Sequence, residues 1–136
     1  MSYIRYFVQS IFVFFLFIIF KFLGLKASSS LGGKLFQLIG PIFRSKKLIN
    51  NNIEKVFPHI DPENKKKIIN SMWNNYGRVF AEYMFIKDFR LGKYKKNIII
   101  EGKEVLEQIK NNKQAVFISG HFSNFELMAM QIELSG

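Results

Sequence analysis

From Tyr6 to Phe20 the chain carries no charged residue, and Ile11 to Phe20 is wholly apolar. Phe22, Leu23 and Leu25 extend the run past Lys21. A bilayer core takes about 20 apolar residues, with a range of roughly 17–25. The segment reaches that length if Lys21 carries its ammonium out to the interface, as a long side chain near a helix end does. Seven of the sixteen Phe fall in the first 22 residues, a bias that points to lipid. The rival reading is a secretory signal peptide, whose apolar core is shorter, about 7–15 residues, and ends at small residues. Ala27-Ser28-Ser29-Ser30 would pass for such a cleavage site, but Lys21 and Lys26 interrupt the approach to it. Residues 1–26 are therefore expected to form a retained transmembrane anchor.

Charge gives the anchor a direction. Arg5 and the amino terminus lie on one side of the run. Lys21, Lys26, Lys34, Arg44, Lys46 and Lys47 lie on the other, all ahead of the first acidic residue, Glu54. Cations collect on the cytoplasmic side, so the remainder of the chain is expected in the cytoplasm. The formal net charge of +10 suits contact with anionic lipid. It would also suit nucleic acid, but the cations flank a membrane segment and form no recognisable nucleic-acid module. No nucleic-acid partner is expected. The sequence holds no Cys, which removes thiolate catalysis, disulfides and Cys-based zinc sites.

Residues 27–93 read as a membrane-proximal helical segment. Ser28-Ser29-Ser30 can cap a helix start and Gly40-Pro41 can break one. The stretch between them suits a helix in the membrane interface or one packed on the domain. A short helix is expected from Ser45 to Phe57, stopped by Pro58. Asp61-Pro62-Glu63 then supplies a start signal: an oxygen to cap, a ring pre-set for the first helical position, and a carboxylate at the positive dipole end. Ile69, Met72, Trp73, Tyr76, Val79, Phe80 and Tyr83 follow at spacings of three and four, the mark of a packed amphipathic helix. Lys65-Lys66-Lys67 on its first turns is a solvated face in the bland reading, and a contact for an acidic carrier protein or lipid headgroups in the sharper one. His59, in a Pro-containing turn, reads as structural.

Over 94–136 the pattern changes. Asn97 to Glu101 and Ala115 to Ser119 read as apolar strands, Lys103 to Lys110 and Asn124 to Leu134 as helices. The expected fold is α/β: an N-terminal transmembrane helix, a helical segment, then a β-α-β-α run with parallel strands and a right-handed crossover. Two parallel strands do not make a stable sheet, so an incomplete domain is expected.

Ile118-Ser119-Gly120-His121 puts a histidine where a strand turns into a helix, and sites in open α/β sheets form at the carboxyl ends of strands. Five residues along an ideal helix rotate about 500°, so His121 and Glu126 cannot share a helix face. They meet only if His121 lies in the turn before the helix and Glu126 one turn inside, facing back. The carboxylate would then fix the imidazole tautomer and stabilise the imidazolium. A single His at a helix start also serves as a cap or surface residue. A metal reading lacks a third ligand nearby.

Gly120-His121-Phe122-Ser123-Asn124-Phe125-Glu126-Leu127 resembles the H-x4-E block of the bacterial lipid A biosynthesis acyltransferases, the lauroyl and myristoyl transferases. Asn50-Asn51-Asn52-Ile53, Val56-Phe57-Pro58, Asn75-Tyr76-Gly77-Arg78 and Glu101-Gly102-Lys103-Glu104 are similar to that family too, as is the apolar N-terminus. Ser123-Asn124-Phe125 departs from the Gly-Asn-Trp of many members, and members of the family are longer. The resemblance implies acyl transfer from acyl carrier protein to a hydroxyl of a lipid A precursor at the inner membrane, with no cofactor. It implies His121 as general base and Glu126 as its partner. Because the sheet is incomplete, this chain alone is expected to be inactive. The alternatives are a membrane acyltransferase with a glycerophospholipid or other glycolipid acceptor, and a non-catalytic membrane-anchored remnant.

Overall fold

A computed structural model describes residues 2–109 and 114–135. The chain divides into two compact units, Met1–Met84 and Phe85–Gly136.

The first unit is helical. Helix α1 runs Ser2–Phe43 and is broken once, at Gly24, whose φ of 76° and ψ of 168° are not helical. That region of backbone is open essentially to glycine alone. From Ser2 to Leu23 the helix rises about 33 Å, enough to cross a hydrocarbon core of about 30 Å. Its apolar side chains are largely exposed, Phe7, Phe12, Phe14 and Phe15 among them. By length and composition, α1 is a helix able to cross a membrane.

The break replaces two expected features. The serines do not start a helix and Gly40-Pro41 does not end one: α1 continues through both to Phe43, with Pro41 inside it. Pro41 lies within the last turn, where losing one N–H costs little of the helix. Ser28 takes another part, donating its hydroxyl to the Phe20 carbonyl across the break at 2.5 Å. A break orphans carbonyls, and this one is satisfied by a side chain. The Phe80 ring packs against Phe17 and Phe36, with centroids 5.2 and 5.3 Å away. In a straight helix Phe17 and Phe36 would stand about 28 Å apart. The two halves of α1 therefore fold back towards each other at Gly24.

Helix α2, Lys46–Val56, is capped by Ser45, whose Oγ accepts from the Leu48 N–H. It ends at Phe57, ahead of Pro58, as expected. Helix α3, Pro62–Glu82, begins as its sequence dictates: Asp61 Oδ1 accepts from the Asn64 N–H at 3.0 Å and Pro62 fills the first turn. That hydrogen bond holds the Asp61 carboxyl below its ordinary pKa.

The contact between α1 and α3 is the main packing of this unit. The expected aromatic stripe is only part of it, since Tyr76 and Tyr83 are exposed. Trp73, Gly77 and Ala81 are the buried residues of α3, one turn apart. They face Gly40 and Gly32, so the helices run antiparallel at backbone contact distance. Beside this seam runs a polar chain. Ser29 donates to Glu82 at 2.8 Å, Arg78 to Ser29 and Asn74, and Asn74 to Gln37. The buried Ser29 hydroxyl thus donates to a carboxylate and accepts from a guanidinium.

The second unit holds α4 (Ile86–Arg90), α5 (Lys103–Ile109) and α6 (Phe125–Leu134). Phe85, Phe89 and Met130 are buried, and Tyr94 packs its ring on both phenylalanines. Arg90 on α4 pairs with Glu133 on α6 at 2.5 Å. Helices α5 and α6 fall where the sequence places them; the last residue of the expected first helix, Lys110, lies outside the described residues.

The expected strands are not formed. Among the described residues there is no strand. Lys95–Asn97 is a turn of 3-10 helix, Ile98 to Ile100 is extended without a ladder, and 114–122 is irregular. Strand propensity alone does not make a strand, because its backbone groups need a neighbour to bond. Val116 and Ile118 are 90% and 95% exposed, so neither backbone nor side chains are covered as a parallel sheet demands.

Candidate functional site

His121 lies outside any helix, in the turn ahead of α6, and Glu126 lies inside its first turn. The turn is tight. The Phe122 N–H donates to the Gly120 carbonyl at 2.9 Å, and the Phe122 ring folds over Gly120 so that a Cβ there would collide with it. Ser123 takes a positive φ of 45°, which reverses the chain into the helix. The Ser119 hydroxyl lies within reach of two acceptors for its one proton, the Gly120 carbonyl and the Met128 sulfur on α6.

The imidazole is exposed and stacks on the Phe125 ring, centroids 4.0 Å apart at 30°. Phe125 is the first residue of α6, so stacking fixes the imidazole at the mouth of that helix. Glu126 is half-buried. Among the described residues no hydrogen bond joins it to His121. Both groups therefore sit at one helix start, with the imidazole held by an aromatic face and not by the carboxylate. Sequence spacing did not signal Phe125 as the residue that carries the imidazole, although its place four residues after His121 does bring the two rings together.

Beside this segment the same unit opens a cavity of about 700 Å³. Ile99, Val105, Leu106, Phe117, Leu127 and Ile132 line it, a largely apolar wall. Its chemistry suits a hydrocarbon chain. Among the described residues no group of three His, Asp or Glu is placed to hold a metal ion.

Lys65, Lys66 and Lys67 begin α3, in the other unit, and are not equivalent. Lys65 pairs with Glu54 at 2.5 Å and Lys67 with Glu63 at 2.8 Å. Lys66 instead lines a pocket with Lys46.

Compared with known protein families, the chain matches an acyltransferase family along its whole length, residues 1–136. It belongs to the bacterial lipid A biosynthesis acyltransferases. No curated protein and no solved structure gives a match.

Proposed function

We propose that this protein transfers a fatty acyl group from acyl carrier protein to a hydroxyl of a lipid A precursor, with His121 as general base. The family match over residues 1–136 carries this reading. The exposed imidazole at the start of α6, next to an apolar cavity, supports it.

In the proposed step, His121 removes the proton of the acceptor hydroxyl as its oxygen attacks the thioester carbonyl. The tetrahedral intermediate then collapses, expelling the carrier thiolate, which takes the proton back from the imidazolium. Backbone N–H groups at the start of α6 would face the developing oxyanion. Glu126 orients the imidazole and stabilises its charge. It does so once substrate has drawn the pair together, since such hydrogen bonds are often loose in an empty site. The acyl chain lies in the apolar cavity.

The first half of α1 anchors the chain in the inner membrane, and the cation bias puts the rest on the cytoplasmic face, where the carrier protein is.

The test is acyl transfer from radiolabelled acyl carrier protein to a lipid A precursor by the full-length protein and its His121→Ala variant. Loss of about 10²-fold or more in the variant supports the reading; undiminished transfer removes His121 from the mechanism.

A further inference from the structure

Where α1 ends, the first turns of α2 and the N-terminal half of α3 enclose a pocket of about 400 Å³ within the first unit. Two ammonium and two carboxamide side chains line it: Lys46 and Asn50 from α2, Lys66 and Asn70 from α3. Each pair is four residues apart, so each helix presents an ammonium and a carboxamide one turn apart on one face. No carboxylate lines the pocket.

The surrounding charges sharpen this. Of the acidic residues that precede Lys66 in sequence, Glu63 pairs with Lys67, Asp61 accepts from Asn64 as the cap of α3, and Glu54 pairs with Lys65. Neither Lys66 nor Lys46 makes an ion pair among the described residues. Lys46, Lys66 and Asn70 are exposed, so their polar ends are open to a ligand from solution. Ile49 and Trp73 give the pocket an apolar wall. Trp73 is 8% exposed, and its buried indole N–H has no acceptor among the described residues.

We propose that this pocket binds a phosphate-class anion, with Lys46 and Lys66 supplying charge and Asn50 and Asn70 supplying hydrogen bonds. Two cations match a dianion, and carboxamide N–H groups reach the oxygens the ammonium groups leave open. The phosphate is either free in solution or carried on a lipid headgroup. The site is remote in sequence from His121 and Glu126, so it stands independently of the acyl-transfer reading.

Trp73 is the sole tryptophan of the chain, so indole emission comes from this pocket's wall. The experiment titrates the whole chain in uncharged maltoside micelles, at fixed ionic strength, with sodium phosphate in one arm and phosphatidic acid in the other. The expected result is a saturable change in Trp73 emission. A response in both arms means that phosphate suffices; a response to phosphatidic acid alone means that the lipid carries it. Lys46→Gln with Lys66→Gln weakens that response about tenfold or more, the cost of lost charged hydrogen bonds. Lys65→Gln with Lys67→Gln leaves it nearly unchanged. No saturable response in either arm overturns the proposal. So does an equal loss in the two double variants, which would reduce the effect to diffuse positive charge.

Discussion

Gly77 meets Gly32 backbone to backbone, so closely that a Cβ on Gly77 would overlap the Gly32 carbonyl. The two glycines let α3 lie directly on the second half of α1 and bring Phe80 between Phe17 and Phe36. Alanine is the better helix former by about 1 kcal/mol, so propensity alone predicts that Gly77→Ala stabilises. Packing predicts the reverse: overfilling a tight contact costs about 1–3 kcal/mol, and here the obstacle is backbone, which cannot rotate away. Gly77→Ala should lower the thermal midpoint of the protein in detergent, and a raised midpoint would refute the close contact.

Gly24 is a different kind of glycine. A Cβ there meets nothing within 4 Å, so only its φ of 76° opposes a side chain. Such a conformation costs a non-glycine residue about 1–3 kcal/mol. Gly24→Ala should straighten α1 or loosen its seat on α3. Spin labels at Phe12 and Leu38, both exposed, check this. The distance between them should lengthen or broaden in the variant, and an unchanged distribution would contradict the account of the break.

Asp61 caps α3, and its carboxyl is held below the ordinary value of 3.8, first by the Asn64 N–H. A carboxyl that is more acidic in the folded chain stabilises the fold above its unfolded pKa. That contribution is lost as pH falls through the folded pKa. The wild-type chain should thus lose stability on acidification below about pH 4 more steeply than Asp61→Asn, which keeps an accepting oxygen and does not titrate. Parallel acid titrations followed by circular dichroism decide it, and coincident curves would remove Asp61 from the pH dependence.

These residues also mark what could be read from the sequence. The start of α3 was legible because Asp61, Pro62 and Glu63 act within one turn. So was the position of His121 outside α6, signalled by Gly120 before it and by a helix start expected at Asn124. The break at Gly24 was hidden because the serines and Gly40-Pro41 are the stronger local signals, and the break is held by distant partners such as Phe80. The Gly32–Gly77 seam joins positions forty-five residues apart, beyond the reach of any periodicity. The runs Asn97 to Glu101 and Ala115 to Ser119 have strand propensity, but a ladder is a property of two segments, not one. At the site, the spacing suggested a carboxylate against His121, whereas the ring of Phe125 holds it.

Glu126 is an orienting residue in this account. Glu126→Gln should reduce acyl transfer less than His121→Ala does and should shift the pH profile of the rate, because the imidazolium loses its counter-charge. Glu126→Asp should restore part of the rate. A Glu126→Gln enzyme with an unaltered rate and pH profile would leave His121 working alone.

The most direct measurement compares acyl transfer by the full-length protein and His121→Ala, at matched amounts in the membrane and with labelled acyl carrier protein as donor. The expected result is a fall of about 10²-fold or more, in the range for loss of a general base. Transfer at the wild-type rate by His121→Ala would contradict it.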